Sequence, residues 1–182
     1  MSGIGAHAGE RPATIPTRDV DVVYQTVHTS QDGHDQVMSQ RMRWDVAIRK
    51  LRVDPPTGGL YMIIDYRTHR LTAVRESERA VIEMSAGTAT GMPGLDKATS
   101  FRKVGSATIA GLPCTEWNTR DSSGMATIIC LTDDGVLLRA VSGDHILVEA
   151  ASVIYGPLSD TIFSVPDGYQ HIGAPKPEAS SP

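Results

Sequence analysis

Alternation of apolar and polar side chains runs through most of this chain, in short segments cut by turn residues. The cleanest case is Val37 to Val46, where Met38, Met42, Trp44 and Val46 alternate with Ser39, Arg41, Arg43 and Asp45. A period of two is that of a half-buried strand. The same pattern opens earlier, at Asp19 to His28: Val20, Val22, Tyr24 and Thr26 share one face, and Asp19, Asp21, Val23 and Gln25 the other. Between the two lies the turn sequence Ser30-Gln31-Asp32-Gly33. Ile48 to Asp54 continues as strand and stops at Pro55-Pro56, which cannot donate to a ladder.

Gly58-Gly59 then introduces Leu60 to Tyr66, and Arg67-Thr68-His69 separates it from a strand at Arg70 to Arg75. After Glu76 to Arg79, Ala80 to Met84 reads as strand, with a helix over Ser77 to Ser85 as the alternative. Ala86 to Gly94 is a loop, and Leu95 to Lys103 is the best helix candidate, Leu95, Ala98 and Phe101 or Arg102 tracing one side. Val104 to Val141 is an apolar, β-branched meander punctuated at Gly111-Leu112-Pro113, Asp121-Ser122-Ser123-Gly124 and Asp133-Asp134-Gly135. His145 to Tyr155 is apolar on both faces, which predicts burial on two sides, and Gly156-Pro157 ends it. The expected architecture is mainly β: about nine or ten strands in one large curved antiparallel sheet, a half-barrel or open barrel, with one or two short helices. Residues 1–18 form a flexible lead-in, 19–172 a single β-rich domain, and 173–182 a disordered tail.

Composition narrows the function more than the fold. With only two phenylalanines among 182 residues, the core is aliphatic and methionine-rich. A net charge of -4 gives no basic stripe for nucleic acid. The longest apolar runs, such as Thr127 to Leu131, fall far short of the ~20 residues of a membrane span. The two cysteines, Cys114 and Cys130, flank the Asp121–Gly124 turn, and folding the strands back brings them nearly opposite each other. That placement favours a cross-strand disulfide over two reduced core thiols, and with it an oxidising compartment, periplasmic or secreted. Met1 to Gly5 has neither a basic nor an apolar signal region, as expected where an export signal has been removed.

Catalytic signatures are scarce. There is no Gly-x-Ser-x-Gly elbow, and Gly87 to Gly91 lacks the Gly-Lys-Ser/Thr ending of a phosphate loop. His28, Asp32, His34 and Asp35 are the nearest approach to a metal cluster, and Asp144-His145 with Asp133-Asp134 to an acid/base group. Turn chemistry accounts for both sets better, so no catalytic residue, metal or cofactor is expected. The candidate ligand-binding residues are Tyr24, Met38, Met42, Trp44, Met62, Ile64, Met84 and Trp117, because methionine and aromatic side chains adapt to apolar ligands. Core packing is the alternative role for each. Arg41, Arg43, Arg49 and Arg52 belong to solvated strand faces, or one of them clamps a lid or a ligand carboxylate.

Four phrases in order carry a family resemblance: Leu60-Tyr61-Met62-Ile63-Ile64-Asp65 with Leu71 to Val74 after the turn, Asp134 to Arg139, and Phe163-Ser164-Val165-Pro166-Asp167-Gly168-Tyr169. Together they resemble the bacterial lipoprotein-carrier superfamily, the LolA/LolB-like half-barrels, over about Asp19 to Ile172. The resemblance implies a periplasmic curved sheet with a helical lid, holding an acyl chain of a lipid or lipoprotein. The sequence departs from it by lacking a long opening helix, so that any lid comes from Thr88 to Lys103. The function expected is non-enzymatic binding of an apolar or amphipathic ligand in the sheet's concavity. The alternative is an envelope module that binds another protein and no small ligand.

Overall fold

The computed structural model describes residues 11–29, 35–87, 95, 98, 100–121 and 124–173. Its strands are β1 (Val20–Thr29), β2 (Asp35–Asp45), β3 (Lys50–Asp54), β4 (Leu60–Asp65), β5 (Arg70–Arg75), β6 (Ala80–Ser85), β7 (Ser100–Ile109), β8 (Leu112–Arg120), β9 (Ala126–Leu131), β10 (Leu137–Ser142), β11 (His145–Tyr155) and β12 (Gln170–Ile172). They form one 12-stranded sheet in the order β12-β6-β5-β4-β3-β2-β1-β11-β10-β9-β8-β7, curved but not closed. Neighbours are antiparallel except β12, which runs parallel to β6. Two meanders, β1–β6 and β7–β11, are therefore joined along β1 and β11.

The tight turns follow from residues visible in the chain. Asp45 accepts the amides of Ala47 and Ile48 at 2.9 and 3.1 Å, and Asp65 those of Arg67 and Thr68 at 2.9 and 3.0 Å. These Asp side chains hold the β2–β3 and β4–β5 corners, which close on Arg49 and His69 in the left-handed region. Pairing then continues at once, Asp45 opposite Lys50 and Asp65 opposite Arg70.

Cross-strand register gathers the core on one face. Val20, Trp44, Leu51, Ile64 and Leu71 form one row, and Val22, Met42, Val53 and Met62 the next. In the other meander Trp117, Ile129, Ala140 and Val148 continue the same inward face. A smaller cluster, Tyr61, Ile63 and Val74, lies on the outer face beneath Val165 and Tyr169. Arg52 fastens that outer segment: its guanidinium lies 3.6 Å from the Tyr61 ring centre and donates to the Ile162 carbonyl at 2.9 Å.

Several expectations need correction. Residues 100–103, expected to end a helix over Leu95 to Lys103, begin β7, where Phe101 pairs with Thr119 and packs on the core. Tertiary pairing outweighed a weak local preference. The described strands number twelve against the nine or ten expected, β12 being a short parallel addition, and among the described residues the one helical element is a 3-10 turn at Asp160–Phe163. Ala80 to Met84 is strand, as favoured over the helix. The long strand β11 is not buried on both sides: Val148 and Ala150 are inside, whereas Ile146, Leu147 and Ile154 are exposed, since none of the described chain covers that outer face. The turn at residues 30–33, the loop at 88–94, Ser122, Ser123 and the tails at 1–10 and 174–182 lie outside the described residues. So does most of the expected lid, although its Leu95 is buried in the main core.

Candidate functional site

Every candidate ligand-binding residue points to the same side of the sheet. Tyr24 opposes Gln40 and Ala150; Met38, Met42 and Trp44 share the face of Gln40 at the strand's period of two; Met62, Ile64 and Met84 carry the rows across to β6. Trp117 joins through Ile129, Ala140 and Val148. Side chains alternate across a strand, so this shared face is fixed by register alone.

Their surroundings differ along the sheet. Tyr24, Met42, Trp44, Ile64 and Trp117 are buried in the main cluster, which Leu95 also enters. Met38 and Met62 are half-buried, and Met84, near the β6 edge, is 40% exposed. The concave face is thus packed around β1–β3 and β8–β11 and opens toward β4–β6. Trp44 meets Tyr66 edge-on, ring centres 5.2 Å apart. Tyr24 donates its hydroxyl to the Leu137 carbonyl at 2.7 Å, beside the bulge where pairing of β9 and β10 skips Leu138. Complete burial raises the Tyr24 pKa far above the ordinary phenol value, so the hydroxyl stays a donor.

Beside this face sits a polar latch that no local pattern announces. A cleft of about 640 Å³ is lined by Arg18, Ser106, Thr108, Leu112, Thr132, Asp134 and Tyr155, among others. Asp134 is its hub, accepting from Arg18 Nε at 2.7 Å, Thr132 Oγ1 at 2.5 Å and the Tyr155 hydroxyl at 3.1 Å. The Arg18 guanidinium also lies 3.7 Å from the Tyr155 ring centre. Burial works to raise the Asp134 pKa, but hydrogen bonds from Thr132, Arg18 and Tyr155 outweigh it and hold the carboxyl below its usual range. The Thr17 amide donates to the Asp134 carbonyl at 3.0 Å, and Arg11 to Ala13 border a smaller cleft over Trp117 and Leu131. The segment preceding β1 is therefore laid against the β9–β10 turn. A turn sequence and a lone arginine 116 positions apart give no hint of such pairing.

Cys114 and Cys130 form the disulfide, Cα atoms 5.5 Å apart. They are not directly opposed: Cys130 faces Glu116, and the bridge runs diagonally. Arg139 pairs with Glu116 and Glu149, at 2.9 and 3.6 Å. The arginines on the outer side serve internal pairs: Arg41 binds Asp21, while Arg43 and Arg52 converge on Asp54. Among the described residues no three His, Cys, Asp or Glu side chains gather as a metal site. Asp32 and His34 lie outside those residues, as do the side chains of His28 and Asp35. Asp133-Asp134 and Asp144-His145 sit at opposite ends of β10 and form no acid/base group.

No protein-family model matches the sequence, and neither does any curated protein. Solved structures do share the fold. A conserved protein from Thermus thermophilus, described as uncharacterized, matches at 12% identity over 87% of this chain and 91% of its own, TM-score 0.61. PNGF-II matches at 14% identity over 86% of this chain, TM-score 0.55; the chain spans only 31% of PNGF-II. The LolA superfamily protein NE2245 from Nitrosomonas europaea is similar at 9% identity over 82% of this chain and 91% of its own, TM-score 0.43. The first two likenesses, at 12% and 14% identity, are likenesses of fold alone.

Proposed function

We propose that this chain is a non-enzymatic envelope protein that binds an apolar or amphipathic, lipid-like ligand on the concave face of its half-barrel. One observation carries the reading: a continuous aliphatic, methionine and aromatic face that loosens from Trp44 toward Met62 and Met84. Methionine-rich walls adapt to flexible chains, and an apolar surface that ends at a sheet edge gives a chain a way in. Leu95, seated in the same core, is the side chain such a ligand displaces first. The disulfide supports an oxidising location, periplasmic or secreted.

The test uses the protein's own reporters. Trp44 and Trp117 are its only tryptophans, and both face inward. Fatty acids brominated along the chain quench tryptophan fluorescence on contact, and saturable quenching with lipid retained in native mass spectra is the expected result. An unquenched protein that stays empty overturns the reading. A protein-binding module is favoured instead by β7, which pairs only with β8 among the described strands and leaves a flank for an added strand.

A further inference from the structure

Among the polar tips of described residues sunk in the inner face, one lacks a partner. The Tyr24 hydroxyl is spent on Leu137. The Trp44 indole is 3% exposed, and its Nε1 has no acceptor. Buried indole N–H groups ordinarily find a partner, and leaving one without is costly. Tyr66 meets the indole with its ring plane turned by 79°, an edge contact that offers at most a weak N–H to π interaction. Arg43 Nε is the other orphan among the described residues, but its guanidinium already grips Asp54 on the outer face through Nη2. Among the described residues Trp44 is thus the buried donor of the inner face left without an acceptor. It also stands toward the buried end of the row Val20, Trp44, Leu51, Ile64, Leu71 and Met84, whose last member is 40% exposed.

We infer that Trp44 anchors the ligand, its indole N–H donating to a carbonyl oxygen of an acyl ester or amide whose chain runs over Leu71 toward Met84. The inference rests on the proposed lipid-binding role and adds a chemical requirement to it. A bare hydrocarbon fills the same apolar row but leaves the donor unsatisfied, and an alkyl ether offers it only a weaker acceptor, so the face prefers acyl compounds by their carbonyl oxygen.

Two probes isolate that atom: palmitoyl lysophosphatidylcholine and its hexadecyl ether analogue, alike in chain length and head group. The wild-type protein is expected to bind the ester about three- to tenfold more tightly, the range of one neutral hydrogen bond. Trp44→Phe keeps an aromatic ring without the donor, and is expected to bind both lipids with the affinity of the ether. In 15N-labelled protein the two tryptophans give two indole signals. The one missing from Trp44→Phe, or remaining in Trp117→Phe should the first variant not fold, moves downfield with the ester and not with the ether. Equal wild-type affinities, a preference retained in Trp44→Phe, or an indole shift common to both lipids overturns the anchor while leaving lipid binding intact. Binding of neither lipid overturns the anchor, and failed quenching by brominated fatty acids marks that as a failure of the parent reading.

Discussion

Gly135 has φ 88°, and a methyl group built on it stands 2.5 Å from the Ile15 carbonyl oxygen. Only glycine suits that turn while the segment before β1 lies against it. Gly135→Ala is expected to cost about 1–2 kcal/mol and to loosen that segment, so that trypsin cuts after Arg18 faster. Gly111→Ala is the control, since Gly111 shares the backbone strain (φ 77°) with nothing within 4 Å. Equal cleavage rates in the two variants count against the packing argument. The sequence marks Asp133-Asp134-Gly135 as a turn, and it is one. That the second carboxylate holds Arg18 and Tyr155 is a three-way meeting of distant segments, for which short-range patterning has no signal.

The hairpin of β8 and β9 is the element most legible from the chain. Two cysteines either side of an Asp/Gly turn imply a bridge, and the bridge is present. Its diagonal geometry is not legible, because a one-residue difference in where the turn closes sets the register, and pairing starts at Arg120 opposite Ala126, which puts Cys130 opposite Glu116. Reducing it, or replacing both cysteines with serine, is expected to cost about 3 kcal/mol. For a chain of this size that is a fall in Tm of about 6–12 °C, checked by melts with and without reductant. Unchanged melts mean the bridge constrains little in the unfolded chain. The helix expected at Leu95 to Lys103 shows the opposite case: periodicity over a few residues is weak beside the edge of β8, and Phe101 settles as a strand residue opposite Thr119.

Across the whole molecule, the candidate residues were legible as a set because period-two patterning and short turns fix which side each strand buries. How tightly that side fills was not, since filling depends on Leu95 and on residues 11–18 brought back from afar. Two carboxylates are held by arginines, Asp134 by Arg18 from far along the chain and Asp54 by Arg43 and Arg52 within one hairpin. For each, burial works to raise the pKa, and hydrogen bonds from the partners more than reverse it. A carboxyl with a lowered folded pKa contributes stability that is complete above its unfolded value and lost as pH falls through the folded one. Tm is therefore expected to stay level down to about pH 5 and drop below about pH 4. Asp54→Asn with Asp134→Asn should start lower and show a shallower acid limb; an unchanged limb places the acid sensitivity elsewhere.

The strand order carries a consequence for biogenesis. β1 bonds to β2 on one side and to β11 on the other, so its second partner ends at Tyr155. A polypeptide delivered amino end first can zip its opening six strands early, yet the bare flank of the very first waits for nearly the whole message to be read. Until then it is a sticky seam, open to any passing extended chain.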